Sequence, residues 1–576
     1  MRAFQLALAV VLSACSAAVH GKAVFAHFMV GNVGGWTTSQ WSSDIAVAQA
    51  AGIDGFALNV AAIDTMTPPG PQTLANAFSA AQSLGFKLFF SFDYLAQGAW
   101  PRSDILTLLN RYANHPAYFQ HPPTNQPLVS TFEGTGNTFD WISIKAQTNV
   151  FFVPDYSSLG PLGAVLTGVA DGLFSWSAWP DGPSIISTVL DLLYQVLLGS
   201  KPYMMPVSPW FYTNLPNWSK NWLWRGDSLW FDRWNQVLSA DPEYVQIISW
   251  NDYGESHYIA PLHSEQYGLF SVGGAPYNYA ANMPHDGWRQ FLPYLISQYK
   301  TGRASITTES LVSWFRLSPA NACSTGGTTG NTASQGQVVY DPATLAQDRV
   351  FFSALLSSSA QVSIAIGRVT QRGSWSSIPS GGSGIYFGSV PFNGLTGAVT
   401  VTISRNGKIV AQMQGATVSK QCTNGISSWN AWVGSAVAGG QTGANALAIP
   451  GATPATTLTT TTKPRTTTAT LAKATTTPAT AKEAAGAGTV CVSGTGSGNF
   501  IGLCQFACQF GYCPSPCTCT ATGVQIPELP ATGGNGYPLI SAGSRCAYTG
   551  LCSYSCSHGY CPPTACGRNP AGAAGC

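Results

Sequence analysis

The stretch YVQIISWNDYGESHYIA (residues 244–260) begins as a buried β-strand would and changes character within a few residues. Tyr244 to Ser249 is largely apolar and β-prone, whereas the residues that follow include Trp250, Asp252, Tyr253, Glu255, His257 and Tyr258. A strand ending in two carboxylates three residues apart is either a turn with helix-capping acids or an acid/base pair delivered to a rim. The rest of the chain decides between them.

Seven earlier segments repeat the same opening: KAVFAHFMV (22–30), GFALNV (55–60), KLFFSFDY (87–94), PLVSTFEG (127–134), NVFFVPDY (149–156), GLFSWSAW (172–179) and PYMMPVSPWFY (202–212). Helical patterns lie between or after them at 43–52, 73–85, 103–113, 183–199, 228–239 and 286–300. Eight apolar strands alternating with helices over 22–304 is the arithmetic of an α/β fold of the TIM-like (β/α)8 barrel type. An open doubly wound sheet is the alternative, but it rarely needs eight such units.

Beyond the barrel the rhythm changes. Over 305–445, segments such as QVVYDPATL, DRVFFSALL, AQVSIAIGRV, GIYFGSVPF and AVTVTISRNGKIVAQMQGATV alternate with period two around a hairpin signal, RNGK. This predicts a β-sandwich accessory domain, pinned by a Cys323–Cys422 bridge. A Thr/Pro-rich linker follows over 446–488. Residues 489–576 then hold an internal repeat, GLCQFACQFGYCPSPC (502–517) and GLCSYSCSHGYCPPTAC (550–566). Each copy is attended by six cysteines, which predicts two small units of three bridges each. Phe506, Phe510, Tyr512, Tyr554 and Tyr560 are candidates for a sugar-stacking surface there, or for the minimal cores of such small units.

Composition narrows the function classes. A net charge of +2, with 9% charged residues, gives no electrostatic case for nucleic acid or an acidic membrane surface. Aromatics reach 12%, and 18 of them are Trp, which suits either sugar binding or a large aromatic core. MRAFQLALAVVLSACSAAVHG (1–21) reads as a cleaved signal peptide, so the mature chain is expected outside the cell or at a cell wall, as a monomer with no membrane span. Cysteine placement agrees: apart from Cys15 in that leader, all but Cys323 and Cys422 lie beyond residue 490. Asn217-Trp218-Ser219 reads as an N-glycosylation acceptor.

A barrel gathers its chemistry at the C-terminal ends of its strands. Those ends carry His27, Asn59, Asp93, Glu133, Asp155, Trp176, Trp179, Trp210 and then Asp252 with Glu255, followed by His257. Five acids of 24 in the chain collect at one rim among aromatics, which suits a polysaccharide cleft. No HExxH, EF-hand loop, phosphate-binding glycine loop or GxSxG elbow accompanies them, so no metal or other cofactor is expected. Carboxylates remain, and glycosidic hydrolysis asks for two: one protonates the leaving oxygen and the other activates water or attacks the anomeric carbon. Apolar neighbours such as Trp250 and Tyr253 would raise the pKa of an acid beside them.

AHFMVGN (26–32), DGFALNV (54–60), LFFSFDY (88–94) and SWNDYGES (249–256) resemble the sequence blocks of fungal α-1,3-glucanases (mutanases), glycoside hydrolase family 71, over nearly the whole barrel. The Cys-rich repeats resemble carbohydrate-binding module family 24. The first resemblance implies endo-hydrolysis of α-1,3-glucan with inversion, and carries the catalytic pair onto Asp252 and Glu255. It implies an assisting acid as well, for which Asp93 at a strand end is favoured over Asp64 in the loop after strand 2; Asp54, before its strand, reads as structural. Which of the pair is acid and which base is open at this level. With inversion they should stand about 6.5–9.5 Å apart. His27, Asn59, Glu133, Asp155, Trp176, Trp179, Trp210, Trp250, Tyr253 and His257 are the expected substrate contacts. The alternatives are a hydrolase of another cell-wall glucan and a non-catalytic wall-binding protein.

Overall fold

The computed structural model describes residues 21–122, 124–439, 441–442, 490–496, 501–515, 517–523, 535–538, 545–558 and 566–567. The expected leader, apart from Gly21, the linker over 446–488, and Tyr560 lie outside those residues. The barrel and the sheets after it form one compact unit, and the C-terminal repeats belong to another.

The first unit is built on eight parallel strands: β1 Ala23–Met29, β2 Gly55–Val60, β3 Lys87–Asp93, β4 Gln126–Phe132, β5 Phe151–Phe152, β6 Leu173–Phe174, β7 Tyr203–Val207 and β8 Tyr244–Ile247. They pair in sequence order, and β8 returns to β1 with Ala23 opposite Tyr244, so the sheet closes. β5 and β6 are shorter than the runs at 149–156 and 172–179 suggest. Pro154 cannot donate to a ladder, and Asp155 alone bridges Phe132 on one side and Phe174 on the other. β1 and β2 are buried along nearly their whole length, as strands of a parallel sheet are, which is why they read as continuous apolar runs.

The main helices are α1 Thr38–Ala50, α2 Gly70–Leu84, α3 Arg102–Tyr112, α4 Asp140–Thr148, α5 Gly160–Leu166, α6 Val189–Leu198, α7 Leu229–Ala240 and α8 Leu292–Thr301. α1 starts at a Thr37/Gln40 capping box, and α2 stops at Gly85, whose φ of 68° is left-handed. α6 begins six residues later than the pattern at 183 suggests, and α4 and α5 follow from no pattern noted above.

Two five-stranded sheets follow the barrel. One runs in the order Trp375–Ser377, Gly384–Pro391, Arg349–Leu356, Ser310–Arg316, Ala431–Val437; the other runs Val369–Arg372, Gln361–Ile366, Gly397–Arg405, Lys408–Val418, Gln441–Thr442. Phe352, Ile364, Val401, Ile403 and Met413 share a core of their own. The expected hairpin turns at Asn406 and Gly407, both with positive φ. The run at 337–345 is not a strand: Asp341 caps a helical turn, Pro342–Leu345, with Pro at its first position. Cys323 and Cys422 are disulfide-bonded. Trp314, Phe351, Phe387 and Trp429 join the barrel's core instead, so the first sheet and the barrel wall are packed as one.

In the C-terminal unit each repeat sets a helix between two paired strands: Ile501–Gln509 between Val490–Thr495 and Thr518–Gly523, and Arg545–Ser557 between Tyr537–Pro538 and Cys566–Gly567. The first repeat carries Cys491–Cys519, Cys504–Cys517 and Cys508–Cys513; the second carries Cys552–Cys566. Gly494 and Gly536 occupy matching places, where a Cβ would strike the sulfur of Cys508 or Cys556 at 2.2 or 2.1 Å.

One buried pair ties α6, β7 and α7 together. Arg233, wholly buried, donates to Asp191 through Nη1 and Nη2 at 2.8 and 3.0 Å and to the Pro206 carbonyl at 2.7 Å, while the Tyr203 hydroxyl donates to Asp191 at 2.9 Å. Removing one partner strands the other's charge in the wall. Asp191→Ala should therefore lower stability by about 3–5 kcal/mol in chemical denaturation followed by tryptophan fluorescence.

Candidate active site

The last residues of β8 leave the barrel at Ile247, and the chain folds back so that Ser249 N–H donates to the His257 carbonyl at 2.9 Å. That turn brings Asp252, Glu255 and His257 together, with one ligand-type atom of each within 4.8 Å of the others. Glu255 accepts from Lys220 Nζ at 2.6 Å on Oε1, and its Oε2 lies 2.9 Å from His257 Nε2. His257 Nδ1 in turn lies 2.8 Å from the Ser249 hydroxyl, which also accepts the Asp252 N–H at 3.0 Å. Asp252 Oδ1 accepts the Glu255 N–H at 3.0 Å. With Ser249 donating to Nδ1, the Nε2 proton points at Glu255.

These contacts separate the two acids electrostatically. Burial disfavours charge on Glu255, but Lys220 and His257 outweigh it and hold the carboxyl below the ordinary carboxylate range. Burial, and then the charge of Glu255, raise Asp252 above its ordinary value; His257 and Lys220 only partly oppose this. The Glu255 charge also raises Lys220, with smaller contributions from Asp252 and Asp93. The same neighbours thus push the two carboxyls in opposite directions, Glu255 toward its charged form and Asp252 toward its neutral one.

The other expected residues divide into three sets. Asp93, at the end of β3, acts on Lys220 through its charge; its Oδ2 accepts from Asn59 Nδ2 at 3.1 Å, and its Oδ1 accepts the N–H groups of Leu95 and Ala96. Asp64 lies exposed, accepting from Gln97 at 2.9 Å, and Asp54 sits at the opposite end of the strands, paired with Lys300. His27 on β1 is bonded to Gln246 at 3.0 Å; burial, then the charge of His257, lower its pKa to about 3 against Glu255, so the ring is neutral. Trp176 stands edge-on to His27 at 4.9 Å, and Trp179 lies 5.5 Å from His257 and stacks on Trp224 at 5.0 Å. Both tryptophans are half-buried and border the two histidines.

Glu133 and Asp155 form a second pair, at the ends of β4 and β5. Glu133 accepts the Ser158 N–H at 2.9 Å, and burial raises its pKa. Asp155 is wholly buried, and burial followed by the charge of Glu133 raises its pKa well above the carboxylate range. It accepts from Ser157, whose hydroxyl accepts the Trp176 N–H at 2.8 Å, which ties Asp155 to the backbone of Trp176.

Trp210, Trp250 and Tyr253 do not face the cleft. All three are buried, and their polar atoms are spent: Trp210 on the Trp429 carbonyl at 2.9 Å, Trp250 on Asp44 at 2.7 Å and Tyr253 on the Pro261 carbonyl at 2.6 Å. Trp250 packs against Phe56 between the barrel and α1, so the dry surroundings of Asp252 come from other groups. The sequence reading also missed Lys220, Ser249, Phe211 and Trp224. Phe211, 5.8 Å from His257, and Trp224 extend the aromatic wall that Trp179 begins.

The model for glycosyl hydrolase family 71 matches residues 20–445. A mutanase of Penicillium rubens is 36% identical over 432 residues, covering 73% of this chain and 89% of its own length. A glucan endo-1,3-alpha-glucosidase of Schizosaccharomyces pombe, agn1, is 34% identical over 432 residues, covering 72% and 94%. An ascus wall endo-1,3-alpha-glucanase of the same yeast is 32% identical over 310 residues, covering 50% and 69%. By the extent of these matches the chain belongs to glycosyl hydrolase family 71 and is a glycosidase.

Proposed function

We propose that the chain is a secreted, endo-acting α-1,3-glucan hydrolase in which Asp252 is the acid and Glu255 the base. The observation that carries this reading is the Lys220–Glu255–His257 cluster beside a carboxyl pushed the other way. Asp252 gives its proton to the glycosidic oxygen as the bond to the anomeric carbon breaks. Glu255 takes a proton from the water whose oxygen forms the new bond to that carbon. Trp176 and Trp179 offer aromatic faces to the sugar rings, and Asn59 holds Asp93 where it faces the same charges. The relatives' printed activities favour α-1,3-glucan as the substrate.

One observation favours a second course for the same residues. The nearest oxygens of Asp252 and Glu255 lie within 4.8 Å, shorter than the about 6.5–9.5 Å separating the carboxyls of an inverting pair and nearer to the about 5–5.5 Å of a retaining one. In the retaining course Glu255 itself bonds to the anomeric carbon before water releases the sugar. Inversion, which the family resemblance implies, needs the water to approach beside Glu255 instead of between the two groups.

We assign the C-terminal repeats to holding the enzyme on insoluble glucan through the linker. Tyr512, exposed, stacks on Tyr554 at 4.4 Å and gives this unit an aromatic surface. The two preceding sheets serve as an accessory to the barrel.

Glu255→Gln and Asp252→Asn should each lower kcat on α-1,3-glucan by about 10²–10⁴-fold, read as reducing ends released, with binding retained. Full activity in both contradicts the assignment. The acid limb of kcat/KM should follow Glu255, below the ordinary carboxylate range, and the alkaline limb Asp252, above it; Asp252→Asn should remove the alkaline limb from the residual rate. NMR of the first-formed product separates the courses: the β-anomer reports inversion and the α-anomer retention. Deleting residues 449–576 should weaken binding to insoluble glucan and spare hydrolysis of short soluble chains; unchanged binding removes the tethering role.

A further inference from the structure

Lys220 reaches Glu255 from an unexpected place. It opens the strand Lys220–Leu223, the outer half of a hairpin inserted between β7 and α7, whose inner half is Tyr212–Leu215. The inner strand belongs to the barrel: Tyr212 N–H donates to the Glu255 carbonyl at 3.0 Å, and Asn214 N–H donates to the Tyr279 hydroxyl at 3.1 Å. The outer strand is held from the other side. Trp222 and Leu223 pair in parallel with Thr329 and Gly330, and Asn331 N–H donates to the Leu223 carbonyl at 2.8 Å. Asn221, next to Lys220, is gripped twice: its Nδ2 donates to the Gly326 carbonyl at 2.9 Å, and the Thr328 hydroxyl donates to its Oδ1 at 2.6 Å. The arm supplying these bonds is itself rooted in the two-sheet region. Ser324 exchanges backbone hydrogen bonds with Gly425 and Ser427, beside the Cys323–Cys422 bridge.

We infer that residues 323–331 are a brace that sets Lys220 against Glu255, so that Lys220 is a positioning residue for the reaction and the accessory sheets complete the active site. The inference rests on the reading of Glu255 as the group that must be ionised. A lysine is a point charge on a flexible stem, and Lys220 is one-third exposed, with a side-chain exposure of 38%. Its reach toward Glu255 depends on where its backbone is held, and a two-stranded ribbon is marginal on its own. The groups facing Glu255 are Lys220 from the hairpin, Asp252 and His257 from its own segment, His27 from β1 and Tyr279 from the following loop. Among these, Lys220 is the one ammonium group.

The test uses the full-length enzyme and pH profiles of kcat/KM on one soluble α-1,3-glucan oligosaccharide. Lys220→Met should move the acid limb up by about 1–3 units, because Glu255 then takes a proton more readily. Lys220→Arg should keep most of the wild-type limb. Asn221→Ala should lower kcat by about 10–100-fold through a displaced Lys220 and move the acid limb in the same direction. Thr328→Val, which loses one hydroxyl, and the double change Cys323→Ser with Cys422→Ser should do the same more weakly while far-ultraviolet circular dichroism stays unchanged. Wild-type kcat and limb in Asn221→Ala, Thr328→Val and the cysteine pair, beside a shifted limb in Lys220→Met, would overturn the brace. An unmoved limb in Lys220→Met would overturn the role of Lys220. An active Glu255→Gln would instead remove the base reading beneath both.

Discussion

A carboxylate shut among tryptophans and tyrosines stays charged only where cations and donors replace the water it has lost, and Glu255 meets that condition through Lys220 at 2.6 Å and His257 at 2.9 Å. Much else at the rim follows from this. With Glu255 ionised, the nearby Asp252 is driven toward its neutral form, since two like charges so close in a dry site oppose each other. Ser249 joins the two halves, accepting from the Asp252 backbone and supporting the His257 ring. On the proposed roles, the difference between proton donor and proton acceptor is set by neighbours and not by residue type.

On the brace inferred above, the same condition extends the catalytic region beyond the barrel. The cation comes from a hairpin that the barrel holds along one edge and the arm of the following sheets holds along the other. The packing shows a matching continuity: Trp210 in the barrel donates to the Trp429 carbonyl, and His285 lies within hydrogen-bond reach of Asn430 and the Ala431 carbonyl. The family match runs without a break from residue 20 to residue 445, through barrel and sheets together. The shared core, and the active site shared through the brace inferred above, give one physical reason for two architectures to stay joined in one chain.

Much of the fold was legible because parallel barrel strands are buried on both faces and leave uninterrupted apolar runs. All eight runs became strands, and Asp93, Asp252 and Glu255 reached the rim because they follow such runs directly. What failed did so where local pattern and tertiary packing part company. Trp250 and Tyr253 flank the acids in sequence, yet the chain turns so sharply after Ile247 that their rings pack outward, toward Asp44 and Pro261. Lys220 carried no local signal at all: it is a single lysine in YTNLPNWSKNWL, and only the long-range pairing with 329–330 shows where it points. Pro342 after Asp341 was a readable helix start, but the apolar alternation around it suggested a strand.

The protonation order of the two carboxyls is the quantity on which the chemistry turns, and it can be observed without substrate. Carbon-13 NMR of side-chain carboxyls in selectively labelled enzyme, titrated from neutral to acid pH, should show Glu255 remaining a carboxylate to the lowest pH at which the protein stays folded. Asp252 should take up its proton well before that point. Protonation of Glu255 ahead of Asp252 would contradict the assignment of base and acid.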